Sequence, residues 1–373
     1  MNILILSAYD AESHKSWRLG LVAAFPEYSF TVLTLPPRYF SWRIRGNSLS
    51  FADSLRQDPC RYDLILATSM VDLSTLMGLV PKLAAVPSLL YFHENQFAFP
   101  KTQHAHASLE PQMVTLYSAL SATTLAFNSR YNFDTYCQGI RDLLKRFPDA
   151  VPSGLVDNIR AKSHILPVPL SDDVFNATHS YVVPERGDRD PSVVWNHRWE
   201  YDKGPDRLLA LLNALPRDLR VKFHIVGQRF KQCPDEMDQI HQLLRERGWL
   251  GQWGPIASRH RYLDCLSEAD VVLSTAIHDF QGLSVLEAMA RGCFPVAPDR
   301  LAYPEYVDSA FRYRAFSDDR DAEASAAAET LVSVLGSVDA ASGARPSASA
   351  KSYRWQVLRK DYQSAFSLTL KNA

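Results

Sequence analysis

Cysteine is sparse and forms no ligand pattern. Cys60, Cys137, Cys233, Cys265 and Cys293 are odd in number and contain no C-x-x-C pair. That excludes a disulfide framework and a structural zinc site, and fits a reducing cytoplasm. No His/Cys cluster has metal-ligand spacing. The triplets Asp188-Arg189-Asp190 and Asp319-Arg320-Asp321 lie in polar segments away from strand ends, so they read as solvated charge and no metal is expected. An excess of one charge is also missing: 40 Lys and Arg face 41 Asp and Glu, for a net charge of −1. Any polyanionic partner must therefore meet a local patch. The apolar run Met1-Asn2-Ile3-Leu4-Ile5-Leu6 has no basic flank and is too short for a signal peptide or membrane span. It reads as a buried first strand.

A chain of 373 residues with 46% hydrophobic and 22% charged content is expected to be a soluble globular protein of two domains. Strand patterns at 3–6, 30–33, 64–67, 89–92, 124–127 and 164–166 alternate with helical patterns at 15–25, 70–80, 107–120 and 130–145. Prolines and acids then punctuate 167–191. Alternation resumes with strands at 193–195, 223–226, 248–252, 271–274 and 294–297 and helices near 205–214, 235–247, 259–268 and 281–291. We therefore expect an α/β protein of two doubly wound parallel-sheet domains, 1–170 and 192–350, joined by a linker at 171–191. A cleft would face the strand C-termini. Residues 319–350 are rich in Ala, Ser and Asp, with helix in the first half and a mobile loop over 342–352. Aromatic residues at helical spacing make 351–373 a closing helix.

One stretch, Trp195-Asn196-His197-Arg198-Trp199-Glu200-Tyr201-Asp202-Lys203-Gly204-Pro205, follows an apolar strand and precedes an apolar helix whose first turn suits Pro205. The loop delivers a forked guanidinium and a compact ammonium beside a helix N-terminus, a combination suited to a diphosphate. Taken alone, it is equally a basic surface loop. A second stretch, His278 to Gly292, places Asp279 at a helix start and Glu287 about two turns further in, with Leu283, Leu286 and Ala290 as the buried stripe. One carboxylate can accept from two vicinal hydroxyls, while the Gly282-Leu283-Ser284 amides meet a phosphate. Alone, the stretch reads rather as an ordinary helix-surface acid at Glu287 and a helix-start acid at Asp279.

Together, Arg198-x4-Lys203 and the Asp279-x7-Glu287 pair resemble the donor site of retaining family 4 glycosyltransferases, which have the GT-B fold. In that family the Arg and Lys hold the donor diphosphate, the second acid holds the ribose, and the first lies near the transferred sugar. Asp279 stands where the family usually has Glu, one methylene shorter. The runs Ser13-His14-Lys15, Ser41-Trp42-Arg43-Ile44-Arg45, Ala67-Thr68-Ser69-Met70, Tyr91-Phe92-His93-Glu94-Asn95-Gln96 and Phe127-Asn128-Ser129 resemble the tRNA-queuosine mannosyltransferases. Trp195–Lys203, Trp253-Gly254 and Ser274-Thr275-Ala276 extend that likeness to the second half. Ala11-Glu12 replaces that family's Gly-Gly pair.

The resemblance implies transfer of mannose from GDP-mannose, as co-substrate and with no cofactor, to queuosine in a tRNA anticodon (tRNA-Asp), with retained configuration, in the cytoplasm. It implies same-face substitution in which the leaving diphosphate helps deprotonate the acceptor hydroxyl. His93, Arg198, Lys203 and Asp279 are then the candidate catalytic residues. Donor contacts fall to Arg198, Lys203, Gly227, Gly282, Leu283, Ser284 and Glu287, with the base near Gly227–Phe230 and Trp253–Ile256. Ser13, His14, Lys15, Glu94, Asn95 and Gln96 face the acceptor; His93 is alternatively a satisfied interfacial histidine. Arg38-Tyr39-Phe40-Ser41-Trp42-Arg43-Ile44-Arg45 interleaves cations with aromatics, suiting phosphate contacts and base stacking through Arg38, Trp42, Arg43 and Arg45. Its alternative is an amphipathic loop with the aromatics packed inward. Residues 1–170 hold 15 Lys and Arg against 13 Asp and Glu, a weak asymmetry. Two rivals remain: a family 4 enzyme with a lipid-linked or polysaccharide acceptor, and a catalytically silent sugar-nucleotide or RNA-binding module. No basic amphipathic helix supports a membrane acceptor.

Overall fold

A computed structural model of the chain describes residues 1–98, 108–175, 189–230, 233–338 and 347–372. It divides into two compact units, Met1–Ser171 with Trp355–Ala373, and Asp172–Arg354.

In the first unit, strands β1 (Asn2–Ser7), β2 (Ser29–Thr34), β3 (Leu64–Thr68), β4 (Ser88–Phe92), β5 (Thr124–Phe127) and β6 (Ser163–Ile165) form one parallel sheet. Its order is β2-β1-β3-β4-β5-β6. The helices are α1 (Glu12–Ala24), α2 (Phe40–Arg56), α3 (Leu73–Leu79), α4 (Glu110–Ser121), α5 (Arg130–Leu144) and α6 (Leu155–Ala161). A parallel sheet is buried on both faces, which is why these strands appear as near-continuous apolar runs. Leu4, Leu6, Ile65, Ala67, Leu90, Phe92, Leu125 and Phe127 share one core with Phe51, Leu76 and Tyr136.

In the second unit, β7 (Ser192–Trp195), β8 (Lys222–Val226), β9 (Leu250–Gly254), β10 (Val271–Leu273), β11 (Phe294–Pro298) and β12 (Arg312–Tyr313) are ordered β12-β11-β10-β7-β8-β9, again parallel. They carry α7 (Pro205–Ala214), α8 (Glu236–Glu246), α9 (Arg259–Glu268), α10 (Leu283–Ala290), α11 (Arg320–Val338) and α12 (Ser347–Lys351). Successive strand residues alternate between faces. Val193, Trp195, Phe223 and Ile225 pack with Leu208, Ile240 and Leu331. Val194, Val226 and Val272 pack with Leu266, Val285 and Met289.

The last helix, α13 (Trp355–Lys371), belongs to the first unit. Trp17 Nε1 donates to Tyr362 Oη at 2.8 Å, and Tyr362 Oη donates to the Pro167 carbonyl at 3.0 Å. Trp355, Leu358 and Phe366 are buried beside it.

Several expectations change. Arg38–Arg45 is no loop: residues from Phe40 on are the first turns of α2, which starts after Tyr39 in left-handed backbone (φ 56°) and without a side-chain cap. Its buried face includes Asn47 and Ser48, which break the apolar period. The 342–352 segment contains helix at Ser347–Lys351; residues 342–346 lie outside the described residues. Residues 172–175 and 189–191 of the 171–191 segment group with the second unit, and 176–188, including Asp188, lie outside the described residues. Asp319, Arg320 and Asp321 are exposed, as expected of solvated charge, whereas the described part of the first triplet is paired. Arg189 makes a two-point bond to Asp270, Asp190 pairs with Arg220, and Asp319 Oδ1 accepts from the Ala322 amide at the start of α11. On α10 the buried stripe is Val285, Leu286, Ala288 and Met289; Leu283 and Ala290 are half-buried.

Candidate functional site

In the second, parallel sheet the order of strand addition reverses between β7 and β10, and ligands of open α/β sheets bind beyond the strand C-termini at such a switch. The loops after these two strands, 196–204 and 274–282, are stitched together there. Trp195 Nε1 donates to Thr275 Oγ1 at 3.0 Å, and Thr275 Oγ1 donates to the Lys203 carbonyl at 2.9 Å. Gly204 (φ 66°) admits this approach, because a Cβ would fall 2.2 Å from the Thr275 carbonyl oxygen. Gly227 (φ 146°), after β8, is pressed harder: its Cβ would meet the His197 carbonyl oxygen at 1.8 Å.

The two cations of the loop have different surroundings. Lys203 is buried; Nζ donates to the His278 carbonyl at 2.9 Å and pairs with Asp202 at 3.3 Å and Asp279 at 3.4 Å. Arg198 is half-exposed and pairs with Glu200 at 2.9 Å. Asp279 Oδ1 accepts from the Gly282 amide at 3.0 Å, where α10 begins. Burial alone would raise the Asp279 carboxyl, but Lys203, His197 and the Gly282 amide outweigh it and hold its pKa below the ordinary carboxylate range. His197 is buried between these groups, with Nδ1 3.2 Å from Ser284 Oγ and Nε2 enclosed without a partner. Burial, then Lys203, pushes its pKa down to about 3, and the same causes take His278 down to about 4. Both imidazoles are therefore neutral near pH 7.

Glu287, on the second turn of α10, is held at both oxygens. Arg259 Nη2 donates to Oε1 at 2.6 Å and Tyr262 Oη donates to Oε2 at 3.1 Å. Thus Arg198, Lys203, Asp279, Gly282, Leu283, Ser284 and Glu287 come together around one switch point, with Gly227 beneath the His197 backbone. Asp202 and His197 lie inside the motif stretch but carry no spacing signal of their own. Arg259 and Tyr262 come from α9, 28 and 25 residues from Glu287, and no sequence pattern links them to it.

In the first unit, His93 follows β4 and is buried against His14 (ring centroids 4.2 Å), Trp17 (4.7 Å) and Tyr91 (4.7 Å). His14 Nδ1 lies 2.6 Å from the Tyr9 carbonyl; a carbonyl only accepts, so that nitrogen carries the proton. His93 Nε2 is enclosed without a partner, and burial, followed by His14, lowers its pKa well below the ordinary histidine value. Ser13 and Lys15 are exposed, so His14 does not share their surface. Asn95 is fully enclosed: Nδ2 bonds Asn132 and Thr135, and Oδ1 accepts from the Phe97 and Ala98 amides. Its capacity is used internally. Glu94 and Gln96 are half-buried, with the Glu94 carbonyl accepting from Ser69 Oγ and Gln96 Nε2 against Met70 Sδ.

On the α2 start, Tyr39 (70% exposed) and Trp42 (56%) stand outward, contrary to inward packing of the aromatics. Arg38 lies over the Tyr39 ring, and Arg43 is half-buried with Nε unpartnered. Arg45 is engaged by Asp72 and Glu110, both at 3.0 Å. Among the described residues, no group of three or more His, Cys, Asp or Glu could hold a metal ion, and no helix is long and apolar enough to cross a membrane.

Residues 2–170 match the family described as tRNA-queuosine alpha-mannosyltransferase N-terminal, and residues 183–334 match glycosyl transferases group 1. A Drosophila melanogaster tRNA-queuosine alpha-mannosyltransferase is 31% identical over 309 residues, covering 82% of this chain and 81% of that protein. Among solved structures, sucrose-phosphate synthase from Thermosynechococcus elongatus is similar with a TM-score of 0.69 at 15% identity, covering 100% of both chains. Anabaena HepE in complex with UDP and glucose gives 0.65 at 14% identity, over 98% of this chain and 99% of that one. At such identities the likeness establishes the fold, which is GT-B.

Proposed function

The chain belongs to the tRNA-queuosine alpha-mannosyltransferase family of glycosyltransferases, and from that premise we propose that it transfers mannose from GDP-mannose to queuosine in a tRNA anticodon, with retention. The observation that carries the donor half of this reading is the convergence at the β7/β10 switch point of Lys203, Asp279, His197 and the N-terminal end of α10. Anionic oxygens are favoured at that helix end and beside Arg198 and Lys203, where charge develops on a departing diphosphate. Arg198, half-exposed and in a surface pair, is the cation more easily redirected to a ligand. Glu287 takes the ribose hydroxyls. Asp279, held ionised, lies toward the transferred sugar.

No residue of this site is assigned as a covalent nucleophile; the leaving diphosphate takes the acceptor proton. His93, neutral and with Nε2 uncommitted, offers one hydrogen bond to the sugar or the acceptor hydroxyl without adding charge. On the acceptor side, the exposed Tyr39 and Trp42 supply stacking faces and Arg38 and Arg43 supply phosphate contacts for a splayed anticodon. tRNA-Asp is the proposed substrate, and the reaction needs no metal, so a chelator leaves the rate unchanged.

The test is incubation with queuosine-containing tRNA and a panel of sugar nucleotides, followed by nucleoside mass analysis. A hexose adduct on queuosine from GDP-mannose is expected. No adduct from any donor would remove the acceptor assignment, and an adduct only from a uridine donor would remove the GDP-mannose assignment.

A further inference from the structure

We propose that Arg259 and Tyr262 are positioning residues that hold the Glu287 carboxylate in the orientation from which it grips both ribose hydroxyls of the donor. The inference rests on the reading of Glu287 as the ribose ligand and adds how that ligand is set.

The hydrogen-bond polarity is determined by the groups themselves. Asn196 Nδ2 lies 2.9 Å from the Ser284 carbonyl and 2.9 Å from Tyr262 Oη. A carbonyl only accepts, so the Asn196 atom there is the amide nitrogen, which only donates. Tyr262 Oη therefore accepts from Asn196, and its single proton is directed to Glu287 Oε2 at 3.1 Å. The order is Asn196 N–H to Tyr262 O–H to Glu287, starting at the end of β7 and ending on α10. Burial, then the nearby Glu287 charge, holds the Tyr262 phenol well above its ordinary pKa, so it stays a donor at working pH.

Arg259 supplies the second clamp. Nη2 donates to Glu287 Oε1 at 2.6 Å while Nε donates to Asp173 Oδ2 at 2.9 Å. The guanidinium is thus anchored at a point other than Glu287. Burial works against its charge, but Glu287 and Asp173 override this and raise its pKa. Each Glu287 oxygen receives one protein donor, and a carboxylate has about four lone-pair sites. One site per oxygen is left, the number that a vicinal diol needs. A glutamate free to rotate would lose rotamer entropy on binding; here that ordering precedes the ligand.

The experiment compares the affinity of the full chain for GDP and for 2′-deoxy-GDP by calorimetry, in wild type, Tyr262→Phe, Arg259→Ala, Arg259→Lys and Glu287→Ala. A site that hydrogen-bonds a hydroxyl rejects the analogue lacking it, so wild type should prefer GDP by about tenfold or more. Glu287→Ala should abolish the preference. Tyr262→Phe and Arg259→Ala should reduce it several-fold, with Arg259→Lys recovering part. Equal weakening of both nucleotides in Tyr262→Phe and Arg259→Ala, with Glu287→Ala still abolishing the preference, would overturn the positioning role alone. A preference that survives Glu287→Ala would overturn the ribose reading itself.

Discussion

Lys203 and Arg198 sit in one loop but should fail differently when removed. Lys203 is buried, and its Nζ satisfies the His278 carbonyl and two carboxylates, Asp202 and Asp279. Lys203→Met keeps the stem and deletes the charge, leaving Asp279 without its paired cation and Asp202 with only Arg198 at 3.8 Å. Breaking a buried charge group in this way costs about 3–5 kcal/mol. Arg198→Ala breaks a half-exposed pair with Glu200, worth about 0–1 kcal/mol. At about 2–4 °C per kcal/mol for a unit of this size, Lys203→Met should lower the melting transition by on the order of 10 °C, and Arg198→Ala by about 4 °C or less. Both should lose turnover while keeping tRNA affinity. The sign of the pH dependence follows from Asp279. Its folded pKa is depressed, so its contribution is present above the unfolded pKa and is lost as pH falls through the folded one. Without Lys203 that folded pKa rises, and the carboxyl takes up a proton sooner. The stability gap between wild type and Lys203→Met should therefore be widest near pH 7 and narrow toward pH 4. Calorimetry across that range, with a transfer assay at neutral pH, reads both effects. A Lys203→Met transition no lower than that of Arg198→Ala, or a gap independent of pH, would refute the buried-clamp account.

Three further outcomes are expected. Gly227→Ala forces a Cβ into the His197 carbonyl at a φ reserved for glycine, and should cost about 2–4 kcal/mol in urea titration together with GDP affinity; wild-type behaviour in both would show that the backbone approach is dispensable. His93→Ala should fold and bind GDP-mannose yet turn over slowly, and a variant with wild-type turnover would remove His93 from the chemistry. Arg43→Glu should weaken tRNA binding in a filter assay with GDP-mannose affinity intact, whereas equal loss of both would point to misfolding of α2.

The elements were legible because their cause is local. A buried parallel strand must be apolar on both faces, so Leu64–Ala67 and Thr124–Phe127 stand out as runs; Pro205 marks a helix start by its own geometry. The α2 helix was hidden for the same kind of reason: its buried face includes Ser48, whose hydroxyl donates back to the Arg45 carbonyl, and Asn47, whose partner is the Met70–Asp72 segment, and no pattern within 40–56 reports that partner. The candidate site divides along the same line. Arg198, Lys203, Asp279 and Glu287 could be picked out by residue type and interval. Lys203 being buried and Arg198 half-exposed, Asn95 being spent internally, His14 turning in against His93 while Ser13 and Lys15 turn out, and Glu287 being gripped by Arg259 and Tyr262 could not. The sequence by itself determined which segments bury apolar surface and which residues carry the charges. Which charge faces which partner was decided only by the tertiary structure, because those contacts join residues dozens of positions apart through sheet order, where no periodicity reaches.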